Sequence, residues 1–191
     1  AIVERVKFNS VAGVKNFLAY CSNGPCTGNT QFFFNVNSLS VWDGAYVLQN
    51  TWNPSAGVWY HVVFTREGNL WKTYVDGSQI GSTVTSAQSL SAPASNYRIG
   101  AVGVGTDQFF NGTIDEVIIF NRSISTEQVV ALFNNRSDLI VANETTTGQN
   151  WSVEITPNDG YDDGQTLESN GVLIIDKISP TITGAVNTSP N

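Results

Sequence analysis

Acidic and histidine side chains that could act in catalysis are few in this sequence, and their spacing forms no catalytic set. His61 is the only histidine of the 191 residues. It lies beside Trp59 in a run of aromatic and β-branched residues, where a histidine is expected to be buried and structural. Asp115 and Glu116 are adjacent, and neighbouring residues of a β-strand point to opposite faces. They are therefore not expected to act as a pair across one bond, and the sequence favours a protein without catalytic activity.

The two cysteines, Cys21 and Cys26, predict a small local disulfide. The intervening residues, Ser-Asn-Gly-Pro, favour a turn that brings the two thiols together. A structural zinc site would need more nitrogen or sulfur ligands than one histidine supplies. Two free thiols are the alternative. Because disulfides persist mainly in oxidising compartments, the predicted disulfide indicates an extracellular or surface protein.

The composition is typical of a β-rich extracellular protein. Charged residues make up 13% of the sequence, about half the share of an average domain. Residues 1–137 contain eight acids and eight bases, so the net charge of −7 lies entirely in residues 138–191, with eight acids and one base. A neutral domain with an acidic tail has no electrostatic attraction to nucleic acid or to an anionic membrane. No apolar run approaches the length of a membrane span, so no direct membrane insertion is expected.

Short runs of β-branched and aromatic residues, separated by Gly, Asn, Asp and Pro, predict an all-β protein. The strongest runs are residues 58–65 and 70–75, and the four-residue connection between them predicts a hairpin. Alternation places Tyr60, Val62 and Phe64 on one face of the first strand. The other face is also largely apolar, which is typical of a central strand in a two-sheet sandwich. Further strands are predicted at residues 3–8, 16–20, 31–35, 40–42, 46–49, 78–82, 97–100 and 113–120.

The period of the pattern changes after residue 124. Ser125, followed by Gln128 three residues later, is a helix-capping pattern. The apolar residues that follow at helical spacing are Val129, Val130, Leu132 and Phe133. This pattern predicts a short helix that ends at residues 134–135.

Five blocks between residues 57 and 133 resemble those of laminin-G-like, concanavalin-A-like jelly-roll domains. Gly-Val-Trp-Tyr-His-Val-Val-Phe at 57–64 resembles the family's G-x-W-x-H-V-A-x strand. Tyr-Val-Asp-Gly at 74–77 resembles its Y-V-D-G turn, and Tyr-Arg-Ile-Gly at 97–100 resembles the following strand. Phe-Asn-Gly-Thr-Ile-Asp-Glu-Val at 110–117 resembles F-x-G-x-I-D-E-V, and residues 121–129 resemble N-R-x-L-S-x-E-E-I. The order and spacing match, whereas residues 1–56 fit only loosely.

This resemblance implies a two-sheet antiparallel jelly-roll sandwich over residues 1–137 with one short C-terminal helix. It implies a non-catalytic module that recognises a glycan or a surface protein, or that serves in adhesion. A glycan hydrolase is the less favoured hypothesis. Glucanases of this fold carry E-x-D-x-x-E on one strand, and this sequence has no such run.

Ligand binding in such folds uses rim loops or the concave sheet face, where aromatic side chains stack on sugar rings. The candidates here are three aromatic residues among turn residues, with an acid and an amide beside them as hydrogen-bonding partners. They are Trp42, Asp43, Tyr46, Trp52 and Asn53. The alternative is that Trp42 and Tyr46 belong to the core.

Asp115 resembles an acid that serves as a structural calcium ligand in several relatives, and Asp107 is a second candidate from a nearby loop. The alternative is that Asp115 caps a loop or pairs with Arg98 or Arg122. Structural Ca²⁺ is thus the one cofactor expected. Asp159, Asp162 and Asp163 form an acidic turn further along, which could hold a cation or could be solvated.

Residues 138–177 resemble the last hairpin of an immunoglobulin-like repeat of prokaryotic surface proteins, those of archaea included. Trp-Ser-Val-Glu-Ile-Thr-Pro-Asn-Asp-Gly at 151–160 carries this likeness. We expect a partial immunoglobulin-like β unit here and a linker or the start of a further repeat at 178–191. The resemblance thus implies a longer cell-surface or secreted protein.

The family domain normally begins one or two strands before a segment like residues 1–8. A fragment boundary, or a strand supplied by a neighbouring subunit, would account for the missing strands. In the second case the chain would be a structural spacer or filament subunit, which is the alternative function. Six sequons permit N-glycosylation: Asn111, Asn121, Asn135, Asn143, Asn150 and Asn187.

Overall fold

The computed structural model describes residues 1–21, 29–93, 97–102, 108–136 and 139–175. The chain divides into two compact units, residues 1–141 and residues 142–191, and each is described by itself. Cys26, Asp107 and Asn187 lie outside the described residues, as does the predicted domain boundary at 137–138. The predictions made for them stay predictions.

The first unit is a sandwich of two five-stranded antiparallel sheets, which confirms the predicted fold class. Its strands are β1 (Ile2–Phe8), β2 (Val14–Cys21), β3 (Asn29–Asn35), β4 (Ser38–Asp43), β5 (Tyr46–Thr51), β6 (Trp59–Glu67), β7 (Leu70–Val75), β8 (Ser78–Thr85), β9 (Arg98–Ile99) and β10 (Gly112–Ile119). Sheet A has the strand order β10-β1-β6-β7-β8, and sheet B has the order β5-β4-β3-β2-β9.

An aromatic core fills the space between the sheets. In β6, alternation directs Val62 and Phe64 into this core, as predicted, and directs Val63 to the other face of sheet A. The ring centroid of Phe8 lies 5.1–6.2 Å from those of four other aromatic residues, namely Phe17, Phe34, Trp52 and Phe110. Burial of each such side chain contributes about 1.5–3 kcal/mol, so this cluster is a main source of the sandwich's stability.

Helix α1 (Thr126–Phe133) follows β10 and covers the outer face of sheet A. The Ser125 hydroxyl accepts a hydrogen bond from the backbone N–H of Gln128 at 3.2 Å, which confirms the predicted cap. Val129 and Leu132 pack against residues that sheet A directs outward, namely Val3, Val63 and Tyr74. Sheet A is therefore packed on both faces. Within the described residues no helix covers the outer face of sheet B, and none is long and apolar enough to cross a membrane.

Strand β1 lies inside sheet A, where it pairs with β10 on one side and with β6 on the other. The described edge strands are β10 and β8 in sheet A and β5 and β9 in sheet B. A strand donated by a neighbouring chain would therefore have to join one of these four edges, because β1 offers no free edge.

The described part of the second unit, residues 142–175, contains an interrupted hairpin. Its strands are β11 (Asn150–Trp151), β12 (Glu154–Ile155), β13 (Leu167–Glu168) and β14 (Val172–Leu173), with β11 paired to β14 and β12 to β13. The segment that resembles an immunoglobulin-like hairpin, residues 151–160, thus carries two short strands in place of one continuous strand. The break occurs because the backbone N–H of Val153 donates to the hydroxyl of Ser169 at 3.0 Å, in place of a ladder carbonyl.

Glu4 is an unusual core residue of the first unit. It alternates in β1 with Ile2 and Val6, which both belong to the core between the sheets, and it is only 2% exposed. Neither carboxyl oxygen has a hydrogen-bond partner among the described residues. Burial raises the pKa of Glu4 to about 8, because a charged carboxylate cannot be solvated there. At neutral pH the side chain is therefore mostly protonated.

Replacing Glu4 with glutamine should change how stability depends on pH. The native chain keeps the Glu4 proton up to about pH 8, whereas the unfolded chain releases it near 4.5. The contribution of the Glu4 proton to the free energy of unfolding is fully present below pH 4.5 and is lost as the pH rises towards 8. The free energy of unfolding of Glu4→Gln relative to the wild type should therefore rise by about 1.4 kcal/mol per pH unit between these values.

Urea unfolding of the two chains at several pH values measures this difference, and Glu67→Gln, an exposed glutamate at the end of β6, is the matched control. A difference between wild type and Glu4→Gln that stays constant from pH 5 to 8 would show that Glu4 ionises normally in the folded chain.

Candidate functional site

The outer face of sheet B is the surface of the sandwich that presents aromatic residues without a helix over them. Alternation along β3 and β4 sends Phe32, Phe34, Leu39 and Val41 into the core. The residues between them therefore point outward. The outward residues of the three strands β3, β4 and β5 are Gln31, Phe33, Asn35, Ser38, Ser40, Trp42, Tyr46, Gln49 and Thr51.

Phe33, Trp42 and Tyr46 form one aromatic cluster on this face, which we call the sheet B platform. The rings of Trp42 and Tyr46 meet edge to face, with centroids 5.0 Å apart. Phe33 stacks beside Tyr46 at 6.4 Å with 29° between the ring planes. Phe33 is buried, Trp42 is half-buried, and Tyr46 is 45% exposed. The two outer rings can therefore contact a ligand while Phe33 supports them from below.

A β-bulge brings Trp42 and Tyr46 together. Val41 pairs with Leu48, but Trp42 pairs with Tyr46, so β5 contains one extra residue at this point. Val47 and Leu48 both enter the core as a result. Without the bulge, regular alternation would direct Tyr46 away from the face on which Trp42 lies.

Amides and hydroxyls surround the platform. Asn35 Nδ2 donates to the Tyr46 hydroxyl at 3.4 Å, and the hydroxyls of Ser38 and Ser40 lie 3.0 Å apart. Gln49 is exposed next to Ser40 in the strand register. Ser40 is fully buried, so Asn35, Ser38 and Gln49 are the polar residues of this group that a ligand can reach. They can donate and accept hydrogen bonds, as the hydroxyls of a sugar do.

Charged groups are scarce on this face. Among the outward strand positions that the structure describes, Arg98 of β9 is the one charged residue, and it lies opposite Ala19 of β2. Three strand spacings separate β9 from β4, which places Arg98 roughly 14 Å from Trp42. The platform itself is therefore electrically neutral.

Asn16 is a polar residue of β2 on the same face, next to Phe33 in the register of β2 and β3. It is fully buried, and its Nδ2 donates to the backbone oxygen and to Oε1 of Gln108, both at 3.2 Å. Asn16 Oδ1 has no hydrogen-bond partner among the described residues. Asn16 thus holds Gln108 at the margin of the face.

Of the five residues that the sequence suggests for ligand binding, the structure brings only Trp42 and Tyr46 together. Asp43 is buried at the end of the sandwich, where its carboxylate accepts hydrogen bonds from the Thr30 hydroxyl at 3.1 Å and from the backbone N–H of Ser91 at 2.7 Å. It holds the segment around Ser91 in place and is not directed towards a ligand on the platform.

Trp52 packs into the core between the sheets. Its ring lies 5.7 Å from Phe8, 5.8 Å from Phe34 and 5.1 Å from Tyr60. Asn53 is exposed in the loop that follows. Neither residue belongs to the sheet B platform, because the chain turns inward after β5.

Asp115 and Glu116 do not point to opposite faces as regular alternation predicts. Asp115 pairs with Arg5 in the register, but Val3 pairs with Ile118, so β10 bulges at these positions. Glu116 has a φ of +49°, and its Oε2 accepts a hydrogen bond from Arg5 Nε at 2.5 Å. The bulge therefore brings the Glu116 carboxylate to Arg5 on the outer face of sheet A, while Asp115 is the cross-strand neighbour of Arg5 in the register.

Structural calcium at Asp115 and Asp107 stays a prediction. The Asp115 carboxylate is exposed and accepts the backbone N–H of Glu116 at 2.8 Å. Within the described part of the chain, no three acidic, histidine or cysteine side chains are close enough to share a metal ion. This includes the acidic turn at Asp159, whose carboxylate instead accepts the N–H groups of Tyr161 and Asp162. These two hydrogen bonds lower the pKa of Asp159.

His61 is buried, as the sequence predicts, with 2% exposure. Neither ring nitrogen has a hydrogen-bond partner among the described residues, and the ring lies 5.9 Å from that of Phe133. Burial, and then the charge of Arg5, lower the pKa of His61 to about 4. The imidazole is therefore neutral at neutral pH.

Cys21 is buried at the end of β2, and the disulfide to Cys26 stays a prediction. The sequon residues that the structure describes are all exposed, namely Asn111, Asn121, Asn135, Asn143 and Asn150. N-glycosylation also stays a prediction.

The residues that sequence reasoning missed are the platform support Phe33 and the polar residues Gln31, Ser40 and Gln49. One signal was available, because Ser38-Leu39-Ser40-Val41-Trp42 alternates between polar and apolar residues and so predicts one outward face. The pattern does not reveal which of the two sheets is left open. The position of α1 decides that.

Comparisons with known proteins agree with this architecture. The family model of the concanavalin A-like lectin/glucanases superfamily matches residues 7–130. No curated protein matches the chain.

Similar solved structures include domain 4 of AbnA, an extracellular GH43 arabinanase of Geobacillus stearothermophilus solved with arabinotriose. It has 18% identity and a TM-score of 0.55 over 69% of this chain and 64% of that one. The CBM40 domain of Ruminococcus gnavus IT-sialidase, bound to α2,3-sialyllactose, has 15% identity and a TM-score of 0.55 over 69% and 80% of the two chains.

Trypanosoma rangeli sialidase has 22% identity and a TM-score of 0.53 over 69% of this chain. The match covers 22% of the sialidase and less than two thirds of the arabinanase domain. At these identities the solved structures support the fold alone. Together with the family model, which spans most of the first unit, they lead to one assignment: the chain belongs to the concanavalin A-like lectin/glucanase superfamily.

Proposed function

We propose that the first unit is a non-catalytic module of an extracellular or cell-surface protein and that it binds a glycan on the sheet B platform. The single observation that carries this proposal is the pair of outer rings, Trp42 and Tyr46, on a sheet face without a helix over it. Aromatic rings stack on the C–H face of a sugar, and the neighbouring amides and hydroxyls can bond its hydroxyl groups.

The similar solved structures support a glycan as the ligand. The arabinanase domain was solved with arabinotriose, and the CBM40 domain was solved with sialyllactose. A neutral glycan suits the platform of this chain better than an acidic one, because Arg98 is the one charged residue among the described outward positions and lies three strands from Trp42. A protein ligand on the same face is the alternative partner.

Catalysis is not part of the proposed function. The adjacent acids Asp115 and Glu116 lie on sheet A, on the opposite side of the sandwich from the platform. Glu116 is engaged by Arg5, and His61 is buried. None of these groups can reach a sugar bound at Trp42.

Replacing Trp42 with alanine should weaken glycan binding at least about tenfold, because an aromatic anchor typically dominates such an interface. Tyr46→Ala should have a similar effect. Trp59→Ala is the matched control, since Trp59 is 42% exposed but belongs to sheet A.

The measurement is a glycan array, run with calcium and with a chelator, followed by titration calorimetry with the best ligand. Binding that survives Trp42→Ala and is lost in Trp59→Ala would place the site elsewhere. No binding to any glycan or protein partner under either condition would count against the proposed function itself.

We expect no glycan hydrolysis by this chain. Incubation with a panel of β-glucans, arabinans and sialosides should release no reducing sugar above the level of a heat-denatured sample. Turnover that disappears in Glu116→Gln would contradict the proposal, because it would give a catalytic role to an acid that we assign to binding or structure.

A further inference from the structure

A cavity with polar residues in its wall lies between sheet A and helix α1, on the side of the sandwich opposite the sheet B platform. Its volume is about 320 Å³, at the lower end of the range for small-molecule sites. Its walls come from β1, β6, the bulge of β10, helix α1 and the turn after that helix. The residues that matter for recognition are His61, Glu116 and Asn135, above an apolar floor of Val3, Ile118 and Leu132.

His61 supplies one donor and one acceptor without partners. The ring is 2% exposed, and neither nitrogen forms a hydrogen bond within the described part of the chain. A neutral imidazole carries one N–H and one lone pair. Buried polar atoms are nearly always hydrogen-bonded to protein, water or a ligand, so water or a ligand in the cavity beside this ring is the expected partner of the imidazole.

Arg5 organises the rim of the cavity. Its Nε donates to Glu116 Oε2 at 2.5 Å, and its terminal nitrogen donates to the backbone oxygen of Phe133 at 2.9 Å and to Asn135 Oδ1. These contacts neutralise the Glu116 carboxylate. They leave Glu116 Oε1 as an acceptor and Asn135 Nδ2 as a donor, and the described residues give neither of them a hydrogen bond.

The bulge of β10 is the feature that assembles this arrangement. Glu116 adopts a φ of +49°, a left-handed conformation that is uncommon for residues other than glycine and costs energy. Strained residues of this kind and β-bulges both concentrate at functional sites. Here the bulge turns the Glu116 carboxylate towards Arg5 at the rim of the cavity.

We propose that this cavity is a second binding site, separate from the sheet B platform, for a neutral polyhydroxylated molecule of about monosaccharide size. His61 and Asn135 offer two donors, and His61 and Glu116 offer two acceptors. Two neighbouring hydroxyl groups match this set, because each hydroxyl both donates and accepts. The apolar floor fits the C–H face of a sugar ring.

Ions fit the cavity less well than a neutral molecule does. The Arg5 guanidinium repels a divalent cation, and the described residues do not bring together three metal-binding side chains. An anion would meet the Glu116 carboxylate, whose side chain is 55% exposed at the rim. Zinc and phosphate therefore serve as contrasting probes.

The experiment uses His61 as its reporter, because it is the only histidine of the chain and its imidazole signals are unambiguous. The full chain, expressed without glycosylation, is titrated with glucose, galactose, mannose and arabinose, and with Zn²⁺ and phosphate. Long-range ¹H–¹⁵N spectra follow the two ring nitrogens. We expect at least one sugar to shift them in a saturable way, with about tenfold weaker binding in Glu116→Gln because one charge-assisted hydrogen bond is lost.

Glu67→Gln is the matched control and should leave the response unchanged. Trp42→Ala tests whether a sugar bound at the sheet B platform causes the shift. This substitution should also leave the response of the imidazole signals unchanged. The proposal is overturned if no sugar shifts the imidazole signals, if only Zn²⁺ or phosphate does, or if Trp42→Ala abolishes the response while Glu116→Gln does not. Because the platform and this cavity lie on different sheets, glycan-array binding can fail while this site holds, and the reverse.

Discussion

The packing of helix α1 against sheet A is the constraint on which the functional surface of this sandwich depends. Both sheets direct apolar residues into the shared core, but sheet A also sends Val3, Val63 and Tyr74 outward. These residues need a cover, and Val129 and Leu132 of α1 provide it. Sheet B has amides, hydroxyls and a few aromatic rings on its outer face instead. Phe33 and Ser40 are buried there, whereas Trp42, Tyr46 and Gln49 are accessible to a ligand.

Two β-bulges determine where the chemically useful side chains lie. The bulge between β4 and β5 lets Val47 and Leu48 enter the core together and brings Tyr46 beside Trp42. The bulge of β10 opposite β1 brings Glu116 to Arg5. In both cases one additional residue changes the face to which a side chain belongs. The regular strands thus supply the core, and the irregular positions supply the two candidate binding sites.

Much of the fold could be predicted from local patterns, because the relevant signals are short-range. The alternation in residues 58–65 and the capping pair Ser125 and Gln128 led to a central strand and a helix that the structure contains. The superfamily followed from ordered blocks of sequence, and the family model supports it over residues 7–130.

The candidate site was only partly predictable, because it depends on long-range packing. Trp42 and Trp52 look alike in sequence, each being an aromatic residue close to turn residues. Trp42 lies on the open face, whereas Trp52 meets Phe8, which is distant in the chain. Asp43 similarly accepts a hydrogen bond from Ser91, across 48 residues. Alternation predicts that neighbouring side chains differ in direction, but it cannot state which direction leads to the core.

Glu4 and His61 show how this sandwich accommodates ionisable groups in its interior. They lie on neighbouring strands of sheet A, with Glu4 directed into the core between the sheets and His61 directed towards α1. Burial raises the pKa of Glu4 to about 8 and is the main cause that lowers the pKa of His61 to about 4. Both shifts favour the neutral form, so at neutral pH neither side chain brings a full charge into the protein.

The two neutral groups nevertheless differ in what they can do. Glu4 does not line the cavity between sheet A and helix α1, so its carboxyl group takes no part in the proposed second site. His61 forms part of the wall of a cavity whose rim is held by Arg5 and Glu116. An unpartnered polar group next to such a space can be satisfied by a molecule that enters it. Both side chains are buried without hydrogen-bond partners among the described residues. Only His61 lies beside a space that a ligand could enter, and it is therefore the basis of the proposed second site.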